Sequence, residues 1–152
     1  MKEHPIKKVL FAKCELFVSE KIDSLEKGLQ SHQKALASET KSSAGDKHET
    51  GRAMLQLEME KSGRQLQEVL QLKVLLEKIS LQQQSEVIRL GSLVTTNRGI
   101  YFLAISMGMI AHRQKTYFAI SPSSPIGNLL LGKRIGENIL FQGRKLSIEH
   151  FV

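Results

Sequence analysis

Two carboxylates, Asp46 and Glu49, stand three residues apart in the stretch SSAGDKHETGRA, residues 42–53. Their neighbours are small or polar, and a leucine-rich segment lies on each side. By residue type and spacing alone the pair suits a helix N-terminus, where acids oppose the macrodipole. Asp46 would be the N-cap and Glu49 the third residue after it, as in a capping box.

Other residues that could carry chemistry do not form working sets. GNLLLGKR at 127–134 approaches the P-loop pattern. However, Arg134 stands where a Ser or Thr would hold Mg²⁺, and three leucines occupy what should be a loop of backbone amides. The histidines, His4, His32, His48, His112 and His150, are scattered, and Cys14 is the only cysteine. Their spacing excludes a structural zinc site. No Ser sits in G-x-S-x-G, so nothing points to a hydrolytic nucleophile. Cys14 falls on an apolar helical stripe and is expected to be buried.

The elements that must position Asp46 and Glu49 read as two helical arms. From about Lys7 to Ser38 the residues Leu10, Cys14, Phe17, Val18, Ile22, Leu25, Leu29 and Leu36 step by three and four. That is the stripe of an amphipathic helix. Pro5 precedes it, where a first-turn proline is tolerated. From about Gly51 to Gln84 the pattern returns in Met54, Leu55, Met59, Leu66, Val69, Leu70, Leu76 and Ile79. Gly28 is a blemish inside the first arm, costing about 1 kcal/mol against Ala, and Ser62-Gly63 break the second stripe, so contact at that break should be thin. Neither arm can bury its stripe alone, and the connector is short and polar. The two are expected to pack antiparallel, as a hairpin with an acidic tip at 45–50. Each arm of roughly 30 residues would be about 45 Å long.

After Gln84 the apolar period shortens to about two. EVIRLGSLVTTN, GIYFLAISMG and QKTYFAIS are rich in β-branched and aromatic residues. ENILFQ and KLSIEHFV add two more strands, with a hairpin turn expected at Gly143-Arg144. Between them, SPIGNLLLGKRIGE fits a short helix with Ser124 as N-cap, Pro125 at its first position and Gly132 at its end. The expected organisation is α+β: an antiparallel coiled-coil hairpin over 1–85, then a small, mostly antiparallel sheet domain with one short helix over 86–152.

The chain of 152 residues carries a net charge of +7. Residues 86–152 hold 8 Lys+Arg against 3 Asp+Glu, or +5, while residues 1–85 hold 14 against 12, or +2. A basic balance suggests a polyanionic partner, whether nucleic acid, a nucleoprotein machine or an anionic membrane. No apolar run is long enough to span a bilayer. The N-terminus has charges through its apolar part, unlike a signal peptide. With a single cysteine, this predicts a cytoplasmic protein.

SPIGNLLLGKRIGENI at 124–139 resembles the C-terminal signature of the bacterial Gre transcript-cleavage factors, GreA and GreB. That signature runs Ser-Pro-hydrophobic-Gly, Ala/Leu-Leu-hydrophobic-Gly-Lys, hydrophobic-Gly-Asp/Glu. GDKHETGRA resembles the family's tip, Gly-Asp-x-x-Glu-Asn-Ala, and falls where the hairpin places its bend. The order of parts agrees from about residue 7 onward. The resemblance implies an FKBP-like second domain and RNA polymerase as partner, with nascent RNA reached through it. Direct nucleic-acid contact, including DNA binding, is compatible with the charge. A monomer is expected, without membrane association.

By the resemblance, the hairpin enters the polymerase secondary channel. Asp46 and Glu49 then help hold a second Mg²⁺ and its attacking water, and backtracked RNA is cleaved. Mg²⁺ prefers oxygen ligands and keeps several waters, so one or two carboxylates suffice. Two metals can then stabilise the attacking and leaving oxygens. The protein would be an accessory factor rather than an enzyme, binding no cofactor alone and sharing Mg²⁺ with the polymerase. Lys133 and Arg134 are the candidate docking cations, or simply a solvated helix end. The tip departs from the family at Lys47, His48, Thr50 and Gly51, and is flanked by Lys41 and Arg52. Channel binding without cleavage, as an inhibitor, is therefore the alternative. Prolyl isomerase activity is disfavoured, because Tyr101-Phe102 and Tyr117-Phe118 are adjacent pairs that point to opposite faces of a strand. A plain coiled-coil adaptor would not need the tip carboxylates.

Overall fold

The computed structural model describes residues 4–40 and 45–152, and the side chains of residues 39–48 lie outside that description. Helix α1 spans Pro5–Thr40 and α2 spans Gly45–Glu77. At 1.5 Å per residue they are about 54 and 50 Å long. The second helix starts earlier and ends earlier than its stripe suggests. The polar residues 45–50 are helical, whereas residues 78–84, helix-compatible by composition, are not.

The chain divides into two compact units. One is Val18–Lys73; the other comprises the chain up to Phe17 together with Val74–Val152. In the helical unit, Lys21, Ser24 and Leu25 of α1 and Gln65, Glu68 and Val69 of α2 line one shallow groove, so the arms run side by side and antiparallel there. Every residue of the α1 stripe is buried or partly buried. In α2 the inward positions include Leu55, Met59, Ser62, Leu66, Val69, Leu72 and Leu76. These steps of four and three are a heptad seam. Met54 and Leu70 were expected on it but are 63% and 41% exposed. A single partner helix covers only a narrow seam, and each of these lies one residue, about 100°, off it. A methyl group added at Gly63 would meet nothing within 4 Å, which agrees with the thin contact expected there, and Gly28 is likewise beside open space.

The other unit is built on a six-stranded sheet, β1 Leu93–Thr96, β2 Gly99–Leu103, β3 Gly108–His112, β4 Lys115–Ile120, β5 Asn138–Phe141 and β6 Arg144–Phe151. The strand order is β3-β4-β2-β1-β6-β5, antiparallel except for the parallel β2/β4 pair. The α+β class and element order expected from the sequence hold, with two corrections in the strands. GIYFLAISMG is not one strand: the chain leaves the sheet after Leu103, burying Ala104 and Ile105, and returns as the unforeseen β3. EVIRLG contributes no strand, because Gly91 turns the chain at φ 92° just before β1.

Two turns share one geometry. Arg113 and Gln114 have φ of 47° and 65°, and Gln142 and Gly143 have φ of 53° and 75°. Both central residues are left-handed, as in the type I′ turn that matches strand twist. The β5–β6 turn thus sits one residue earlier than expected, with Phe141 opposite Arg144.

Helix α3, Pro125–Leu130, seals one face of the sheet. Its Ile126 and Leu130 join Ile88, Val94, Leu103, Ile139, Leu146, Ile148 and Phe151 in the core. Phe102 alternates to the other face and is fully buried, as are Leu10 and Cys14 near the start of α1. Cys14 bonds the Ile105 backbone, and burial pushes its thiol up to about 11.

Candidate site at the hairpin tip

Helix α2 begins at Gly45, so positions 46 and 49 both belong to it. Three apart on a helix, they share one face. Asp46 is thus a first-turn residue, not the residue that precedes the helix as a capping box requires. The Asp46 side chain lies outside the described residues, as do those of Lys41, Lys47 and His48. Glu49 is exposed to solvent and Arg52 is partly buried.

The α2 N-terminus carries roughly half a positive charge, which opposes a cation bound by the tip alone. Two carboxylates on one helix face suit a minor share of a Mg²⁺ shell, the remainder being water or another protein's oxygens. Among the described residues, no group of three His, Cys, Asp or Glu could hold a metal.

The signature around α3 is built for folding. Ser124 is the N-cap: its Oγ accepts from Gly127 N at 3.1 Å and donates to Ser121 O at 2.6 Å. Pro125 opens the helix, as its sequence position implied. Gly127 has no room for a side chain, since a Cβ there would lie 2.0 Å from Ser121 O. Gly132 takes φ 78° just past the helix end. With α3 filling the middle of GNLLLGKR, those amides cannot cradle a phosphate. Sequence reasoning missed the close approach at Gly127, which leaves no trace beyond the glycine itself.

Lys133 is partly buried; its backbone N–H donates to Leu130 O at 3.1 Å and its carbonyl accepts from Ile88 N–H at 2.8 Å. Arg134 is exposed, with Nη1 3.2 Å from the Glu86 carboxylate, and its backbone N–H donates to Glu137 Oε2 at 2.5 Å. Glu86 therefore attends this cation, and the pair does not form a bare positive patch. Nothing in the sequence spacing signals the Glu86 partner, 48 residues away.

The aromatic rings split as expected. Tyr101 and Phe118 pack 5.7 Å apart on one face, while Phe102 and Tyr117 are buried by alternation on the other. The four cannot line a single pocket. No helix among the described residues is long and apolar enough to cross a membrane.

No protein-family model matches the chain, and no curated protein does. Among solved structures it is similar to that of the transcription factor Gfh1, with 19% identity over 86% of this chain and 88% of that one. The TM-score is 0.34, and a superposition this loose carries no argument for fold or activity.

Proposed function

We propose that this chain is a cytoplasmic transcription elongation factor of the Gre type that presents its hairpin tip to RNA polymerase and promotes cleavage of backtracked RNA. The observation that carries the reading is the tip itself: an exposed Glu49, with position 46 on the same helix face, at the start of the second of two helices of about 50 Å. A slim arm of that length suits a narrow channel. A carboxylate pair that fits only part of a metal shell suits an active centre completed by another protein.

In this reading the reacting groups belong to the polymerase, and this protein is an accessory factor. When bound, the shared Mg²⁺ would activate water and stabilise the leaving oxygen. The Asp46 and Glu49 carboxylates would hold that ion in place. The basic tip neighbours Lys47 and Arg52 favour the alternative of channel occupancy without cleavage. Adding the protein to stalled elongation complexes separates the two. Faster RNA shortening supports the cleavage factor; suppression of the polymerase's own cleavage supports the inhibitor. No effect on stalled complexes overturns both.

A further inference from the structure

The charge of the sheet unit is concentrated away from Lys133 and Arg134. Strand register brings all three hairpin turns to one end of the sheet. The β1–β2 turn at Asn97-Arg98 and the β3–β4 turn at Arg113-Gln114 share an end because β2 and β4 are parallel. The β5–β6 turn at Gln142-Gly143 joins them because β6 runs antiparallel to β1. Asn97 N–H donates to Ser147 O at 3.2 Å, Ser147 N–H to Asn97 Oδ1 at 2.8 Å, and Arg98 Nε to Lys145 O at 3.5 Å. These bonds hold the β1–β2 turn against β6 at Lys145 and Ser147.

Arg98, Arg113, Lys115, Arg144 and Lys145 sit at this end, and all five are exposed. They are five of the eight Lys and Arg in residues 86–152. Residues 96–99, 111–116 and 141–146 contain no carboxylate. The acids of this region lie elsewhere: Glu86 pairs with Arg134, Glu137 accepts from Arg134, and Glu149 is several residues further along β6. With strands about 4.8 Å apart, neighbouring turns are offset by about 10 Å across the sheet, and because Thr96 pairs with Ile148 the β5–β6 turn reaches roughly 13 Å further out than the β1–β2 turn. Three of the five cations are arginines, whose planar forks match phosphate oxygens.

We propose that this end of the sheet binds the phosphate backbone of duplex DNA without reading its sequence. A protein partner would require clustered aromatic anchors, but the exposed large apolar residues include no aromatic, and Leu140 alone flanks the turns. Single strands would require rings for base stacking, which the same exposed set lacks. What remains is a rigid row of cations suited to a rigid row of phosphates. The proposal stands independently of the tip.

The test is fluorescence anisotropy of a labelled duplex of about 20 bp, titrated with the full chain between about 50 and 200 mM salt. Five phosphate contacts give a log–log slope of about −4.5, or about 500-fold weaker binding over that range. Arg98→Gln/Arg113→Gln/Lys115→Gln/Arg144→Gln/Lys145→Gln should flatten the slope by about four, and Lys115→Gln alone by about one. Unchanged tyrosine emission and thermal unfolding would show that the variants are folded. Lys61→Gln/Arg64→Gln/Lys73→Gln on α2 should leave the slope as it is. Failure of the wild type to bind at about 50 mM salt would overturn the proposal. So would an arm variant that flattens the slope as much as the turn variant, or tighter binding of a single strand of equal length.

Discussion

Replacing Gly127 by Ala should unfold the sheet unit at a much lower temperature. The added methyl carbon would lie 2.0 Å from Ser121 O and 2.9 Å from Ser124 Oγ. An ordinary contact begins near 3.4 Å, so the start of α3 must retreat by about 1.4 Å. The obstacle is a backbone carbonyl, which no rotamer change can move aside. The retreat breaks the cap that Ser124 forms between Ser121 and Gly127, worth about 1 kcal/mol. It also pulls Ile126 and Leu130 from the core, and such overpacking costs about 1–3 kcal/mol. A total of about 3 kcal/mol should lower Tm by on the order of 10–20 °C for a domain of this size. The assay can be confined to this unit, because both tyrosines, Tyr101 and Tyr117, lie in its strands. Gly132→Ala is the comparison: nothing lies within 4 Å of its Cβ, and only the φ of 78° is strained, at about 1–2 kcal/mol. A Gly127→Ala protein that melts within about 3 °C of wild type would refute the close-approach argument.

Gly28→Ala and Gly63→Ala should each stabilise the helical unit by up to about 1 kcal/mol, since both glycines are mid-helix beside open space; helical circular dichroism on heating would detect it, and a lowered Tm would contradict it. Cys14 should make stability fall in alkali. Its folded pKa is raised from 9.0 to about 11, so its contribution is intact below about pH 9 and is lost as pH climbs through 11, on the order of 2–3 kcal/mol. Lys7 works in the opposite sense, its pKa lowered by burial and then by Arg89, but it is common to wild type and Cys14→Ala. Urea unfolding of both proteins across that range should therefore show a steeper alkaline loss in the wild type, and parallel curves would contradict the buried thiol.

The fold class was legible in the sequence because its two periods differ so plainly. Seven- and three-four-step spacing makes α1 and α2, and alternation makes β1, β2, β4, β5 and β6. Where tertiary context decided, residues misled. Met54 and Leu70 are as apolar as their neighbours, and only the width of the partner helix leaves them outside. Strand β3 was hidden because Arg113-Gln114 is not a turn pair by composition, yet both residues are held left-handed by the strands they join. The tip acids were found from their position between the arms. The Glu86–Arg134 pair and the cationic row of turns were not, because each depends on register between distant strands. The signature at 124–139 carries the packing and capping of α3, which only the close approach at Gly127 makes visible.

The central claim rests on the carboxylates at 46 and 49, and an RNA-shortening assay with stalled elongation complexes tests it most directly. Wild type should accelerate cleavage, whereas Asp46→Asn and Glu49→Gln, which keep size but remove anionic oxygens, should each abolish the acceleration while polymerase binding stays nearly intact. Raising Mg²⁺ should restore part of the activity, because the defect is in metal affinity. Full acceleration of cleavage by the Asp46→Asn/Glu49→Gln double variant would contradict the account.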